Sequence, residues 1–197
     1  MKKLLFIFIF ILFIFALSCK STPLNSAPED VVIAEEPPSE VDTPKKAFYL
    51  PADTYVRNTD RGKVFETSPK IIFKFVETNM PAYADVPFTK VMELLEKNPN
   101  VNIVLEAHTS NRGKAYPYNY NLSVMRARNG KAYLLERGVK GDRVIESPLG
   151  EALPEYHSQD KLRRYEFIII ENEEDMIKYN TYISNLDVRK ESVYQGN

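Results

Sequence analysis

Apolar positions along the chain fall into a few regular patterns, and these predict most of its secondary structure. Positions 71–76 alternate, with Ile71, Phe73 and Phe75 on one side and Lys74 on the other, as a half-buried strand does. Phe88, Val91, Met92 and Leu95 then recur at helical spacing. Asp85 is placed to cap that helix, Pro87 suits its first turn, and Asn98-Pro99 stops it. A second strand follows over 101–108, too apolar to be an edge exposed on both faces. The spacing next predicts a helix over 119–137, closed by Gly138, with Leu122, Ala127, Leu134 and Leu135 as packing candidates. Positions 143–146 and 165–170 supply two more strands. The order β-α-β-α-β-β predicts an α/β (α+β) sandwich, a mixed sheet with helices on one face.

The flanks are organised differently. Met1, Lys2 and Lys3 precede fourteen unbroken apolar residues, positions 4–17, which end at Ser18 and Cys19. That run is short for a membrane span of about 20 residues, and its basic start and small-residue end predict an export signal over 1–18. Cys19 is the only cysteine, so no internal disulfide is available. Ala16-Leu17-Ser18-Cys19 resembles the lipobox of bacterial lipoproteins, which implies lipidation at Cys19 and attachment to a membrane through that lipid. Positions 19–46 are rich in proline and acidic residues and hold no aromatic, so they are read as a disordered tether. Positions 47–69 are an aromatic lead-in with room for a short strand, and 70–171 form the main domain. Positions 172–197 form a tail with a short amphipathic helix near 176–183.

Charge narrows the function. With 26 basic and 27 acidic residues the net charge is −1, so no bulk positive field points to nucleic acid. His108 and His157 are the only histidines, and Ser110 and Ser123 lie in no nucleophile-elbow pattern. No enzyme, cofactor or metal site is expected. His108 reads as a packed strand-end residue, Glu106 and Glu151 as structural, and Arg163 and Arg164 as sheet-end salt-bridge residues ahead of ligands.

Recognition is expected in the segment 108–126, HTSNRGKAYPYNYNLSVMR, a polar loop carrying a strand into a helix. Arg126 is its anion-binding candidate, since a planar guanidinium can hold a carboxylate through two parallel bonds, and amides near 119–121 would add donors.

The same segment carries a family resemblance. Glu106-Ala107-His108-Thr109-Ser110, then Gly113, then Asn119-Tyr120-Asn121-Leu122-Ser123-Val124-Met125-Arg126-Ala127, Gly138, Gly150-Glu151 and Arg163-Arg164 resemble in order the pattern of the OmpA C-terminal-domain family. The resemblance covers about positions 70–170. It implies a fold that binds peptidoglycan by gripping the diaminopimelate of a stem peptide, the helix arginine taking the carboxylate and an aspartate after His-Thr pairing the ammonium. Carried over residue by residue, the arginine is Arg126 and the helix-start asparagine is Asn119. Thr109 and Leu122 flank them, and Ser110 stands where the family has its aspartate. Ala107 replaces a family glycine, and Gly130 stands inside the helix at a cost of about 1 kcal/mol.

The resemblance therefore implies an outer-membrane lipoprotein facing the periplasm, with peptidoglycan and other envelope proteins as candidate partners. The alternative is an envelope interaction protein that has lost wall binding through Ser110.

Overall fold

The computed structural model describes residues 47–190. The expected export signal over 1–18, the lipidation at Cys19 and the tether over 19–46 lie outside the described residues, as do positions 191–197.

One mixed sheet of five strands organises the domain, in the order β1-β2-β5-β3-β4. The strands are β1 (Tyr55–Thr59), β2 (Gly62–Glu66), β3 (Asn102–His108), β4 (Val144–Gly150) and β5 (Tyr165–Ile170). β3 and β4 run parallel, and the other pairs are antiparallel. Helices α1 (Asp85–Lys97), α2 (Tyr120–Glu136), the single turn α3 (Gln159–Leu162) and α4 (Glu173–Ser184) complete the fold.

The alternation along the strands decides which side each helix covers. Phe65, Ile103, Leu105, Phe167 and Ile169 point to one face and form the main core with Phe88, Val91, Leu94 and Leu95 of α1 and Ala127 and Leu134 of α2. Burial of each of the larger of these side chains contributes about 1.5–3 kcal/mol. Their neighbours Val64, Val104, Ile168 and Ile170 point the other way and pack against Met176, Tyr179 and Ile183 of α4. The expected mixed α/β sheet is thus present, but helices cover both faces. A run such as Phe167, Ile168, Ile169, Ile170 needs apolar cover on each side, and α4 supplies the second.

Two further expectations change. The lead-in holds not one short strand but the β1–β2 hairpin, which occupies the sheet edge beside β5. Positions 71–76 are not a strand: only Ile72 pairs, as an isolated bridge to Arg164. Ile71 and Phe73 are buried as their alternation predicts, but Phe75 is exposed. The flanks of β5 are already taken by β2 and β3, which leaves this segment only the residues before β5 begins. Asp85 starts α1 without a side-chain cap, and its carboxylate instead accepts from the Tyr133 hydroxyl.

Where the chain joins the domain it is clasped to the C-terminal end of α1. The Tyr49 amide donates to the Asn98 side chain at 2.8 Å, and the Asn98 amide group returns a bond to the Tyr49 carbonyl at 2.9 Å.

Gly130 has a packing reason that its helix cost hid. A Cβ there would lie 2.8 Å from Leu105 Cδ1 and 3.0 Å from the Tyr165 ring and hydroxyl, so glycine lets α2 lie close on the sheet. Helix propensity alone would make Gly130→Ala stabilising by about 1 kcal/mol. Overpacking reverses the sign, and the variant should lose about 1–3 kcal/mol in urea denaturation.

Candidate functional site

The strand-to-helix crossing is built by a close approach between α2 and the end of β4. Gly150 sits at φ +54°, and a Cβ there would be 3.4 Å from the Tyr120 backbone nitrogen. Ser123 ties the two elements: its hydroxyl donates to the Tyr120 carbonyl at 2.7 Å and accepts from the Gly150 amide at 3.0 Å. The serine of the Leu-Ser motif is therefore a fastening for α2, and Gly150 is the residue that admits it. The Thr109 amide donates to the Gly150 carbonyl at 2.8 Å, which fixes the end of β3 beside the same junction.

Arg126 lies one turn further along α2 and turns inward, with a relative exposure of 0 %. Its Nε donates to the Glu77 carbonyl at 2.9 Å, Nη1 to the His108 carbonyl at 2.8 Å and Nη2 to the Lys74 carbonyl at 3.4 Å. The guanidinium also lies 4.4 Å from the centre of the Phe73 ring. All these partners are neutral, and among the described residues no carboxylate pairs with it. Burial, reinforced by the Arg163 charge, pulls its pKa down to about 10. An enclosed cation without a counter-charge is an unfavourable arrangement that an anion would relieve.

The other expected site residues are buried as well, each in its own setting. Ser110 and Thr109 directly follow His108 and are buried; the Thr109 hydroxyl has no hydrogen-bond partner. Asn119 is buried, but its side-chain amide already donates to the Glu151 carboxylate. Leu122 is buried in the first turn of α2. Two of the three amides expected to add donors at the helix start are occupied: that of Asn119 bonds the Lys114 carbonyl, and that of Tyr120 bonds the carbonyls of Ala115 and Pro117. A wide turn over Ala115–Asn119 precedes α2 and uses those groups.

On the opposite face of the sheet stands a buried ionic network that the sequence did not assemble. Glu106, His108, Arg164 and Glu166 follow the alternation of Val104 and Ile168, and Arg61 reaches in from the β1–β2 turn. Arg61 Nε lies 3.0 Å from Glu106 Oε1, and its Nη2 lies 2.5 Å from Glu166 Oε2. Arg164 Nη2 approaches the same Glu166 oxygen at 3.0 Å. His108 Nε2 is 3.3 Å from Glu106 Oε2. Glu106, His108 and Glu166 bring their donor atoms within 4.8 Å of one another, a grouping that suits a cation. Two guanidinia already fill that role, so the cluster reads as a structural ion-pair network.

Arg163 belongs to neither centre. It clamps α3 to the segment before α1, through Asp160 at 2.5 Å and the Phe73 carbonyl at 2.9 Å.

Comparison with known proteins places this architecture. Residues 72–166 match the model of the OmpA family. The peptidoglycan-associated lipoprotein of Rhizobium meliloti (strain 1021) is 33% identical over 85 residues, which are 43% of this chain and 48% of that protein. The chain thus spans about half the length of this curated relative. The periplasmic domain of Helicobacter pylori MotB superposes with a TM-score of 0.52 at 17% identity, covering 68% of this chain and 89% of that one. A putative MotB-like protein from Desulfovibrio vulgaris gives 0.50 at 18% identity, over 59% and 80% of the two chains. Both structural likenesses concern the fold. By the family match, residues 72–166 of this chain are an OmpA-family domain.

Proposed function

We propose that this chain is a non-catalytic envelope lipoprotein that holds peptidoglycan. In this reading it is moored in the outer membrane through lipid on Cys19, with its domain in the periplasm. Arg126 takes a carboxylate of a diaminopimelate-type stem peptide, and Thr109 and Ser110 line the space beside it. Asn119 and Leu122 shape the same crossing from the helix side. The observation that carries the reading is the Arg126 guanidinium, enclosed with three neutral carbonyls and no acidic partner among the described residues. A carboxylate supplies the missing charge and matches the planar fork. The name of the Rhizobium relative points to the same polymer.

Retention of the full chain, in mild detergent, on purified peptidoglycan tests it. Arg126→Lys keeps the charge but loses the fork, and it should weaken retention about tenfold, a loss near 1.4 kcal/mol. Equal retention of variant and wild type would remove Arg126 from the site.

A second reading has its own support. Arg126 is fully enclosed and Ser110 is neutral, as expected of an OmpA fold that docks on another envelope protein and no longer binds the wall. Ser110→Asp separates the two. An ammonium paired with a carboxylate gains about 1–2 kcal/mol over one paired with a hydroxyl, so retention should rise roughly five- to thirtyfold if the site works. It should not change if the site is defunct.

A further inference from the structure

The groups that close over Arg126 differ in how they are held. The His108 carbonyl belongs to β3 and is fixed by the sheet. The carbonyls of Lys74 and Glu77 belong to a turn over residues 74–77, closed by a bond of 3.3 Å from the Glu77 amide to the Lys74 carbonyl. Every side chain of that turn is exposed. Phe75 and Val76 stand out at 48 % and 47 % exposure, so the turn is not held down by burying its apolar groups.

Its ends are secured. The Phe73 amide donates to the Arg163 carbonyl at 2.7 Å, and the Asn129 side chain donates to the Thr78 carbonyl at 3.1 Å. Between these fastenings Val76 sits at φ +56°, a left-handed conformation that a β-branched residue adopts only under strain.

We propose that the turn over residues 74–77 is a resident occupant of the Arg126 anion seat, displaced when a ligand carboxylate arrives, and that strain at Val76 sets how readily it leaves. This rests on the reading of Arg126 as a carboxylate-binding residue. The turn offers two neutral carbonyls to a guanidinium; a carboxylate offers two charged oxygens in the geometry the fork prefers. The exchange removes the contacts of Lys74 and Glu77, keeps that of His108 and releases the backbone of Val76. A displaced turn also parts Phe75 from Arg112, whose guanidinium lies 5.8 Å from the ring centre.

The test uses the full chain in mild detergent, purified peptidoglycan as the probe, and two variants read for both melting temperature and retention across a range of peptidoglycan concentrations. Val76→Asn accepts the left-handed conformation more easily. It should raise the melting temperature and weaken retention about three- to tenfold, because strain is relieved only while the turn is seated. Asn129→Ala removes the fastening at Thr78 and should strengthen retention by a similar factor without raising the melting temperature. A Val76→Asn protein that melts higher but is retained as well as wild type overturns the proposal, as does one that does not melt higher. If wild type is not retained at all, peptidoglycan binding itself fails and the displacement falls with it. Retained wild type with an indifferent Val76→Asn removes the displacement alone.

Discussion

Replacing Arg61 with alanine should cost about 3–5 kcal/mol of stability, the range for breaking a buried ion pair from one side. Arg61 is 1 % exposed and holds Glu106, Glu155 and Glu166 together. Its removal leaves the Glu106 and Glu166 carboxylates facing one another, with Arg164 as the remaining guanidinium within the buried cluster. It also frees the β1–β2 turn, from which Arg61 reaches inward. Urea denaturation at neutral pH measures the loss. Arg57→Ala is the control, since that side chain is 33 % exposed while touching Glu66, Glu155 and Glu166. Solvent screening should hold its effect to about 1 kcal/mol. Equal losses for the two variants would show that the enclosed part of the network carries no special weight.

Acid should dismantle the same network in two stages. Burial alone pushes the Glu166 carboxyl up, but Arg164 and Arg61 outweigh it and hold the group at about 2. Glu106 is likewise pushed up by burial and brought below its usual value by the His108 hydrogen bond and the Arg61 charge. A depressed carboxyl contributes stability that is present above its unfolded value and lost as pH falls towards its folded one. For Glu166 the window runs from about 4.5 down to about 2, and the stability lost across it is about 3 kcal/mol.

His108 sets the earlier stage. Burial and the neighbouring Arg164 charge lower its pKa, so it is neutral in the folded protein at neutral pH. Its Nδ1 is buried without a partner, consistent with an imidazole whose proton sits on Nε2 facing Glu106. Below about pH 6.5 the unfolded chain takes up a proton that the fold resists, so stability begins to fall there. Urea midpoints at pH 8, 5.5 and 4 should therefore decline stepwise. His108→Gln should flatten the decline between 8 and 5.5 and leave the carboxylate share of the decline below 5.5. A midpoint at pH 5.5 equal to that at pH 8 would mean that His108 is charged in the fold.

Regular amphipathic patterns were legible because burial on one side imposes them. The stripe of Phe88, Val91, Met92 and Leu95 marks α1, and the uninterrupted apolar positions 167–170 mark β5. The hairpin was harder to read, since β1 and β2 hold only scattered apolar residues among polar ones. Arg57 and Glu66 in those strands face ionic partners instead of a greasy core. A signal was present in Asp60-Arg61-Gly62 between two short runs, with Gly62 at φ +134° closing the turn.

The candidate site divided along the same line. A strand, a polar loop and a helix placed Arg126 with Thr109 and Ser110, because chain connectivity alone brings them near. Nothing in the spacing showed that Lys74 and Glu77, about fifty residues earlier, would offer their carbonyls to it. Backbone groups leave no mark in a sequence. The bonds that occupy the Asn119 and Tyr120 amides are invisible in a sequence for the same reason.

The clasp between Tyr49 and Asn98 gives the domain a front and a back. Asn98 adjoins the start of β3, whereas the His108 carbonyl that touches Arg126 ends it, roughly 20 Å away along the strand. Tension applied through the leading segment therefore arrives at the pole remote from the guanidinium.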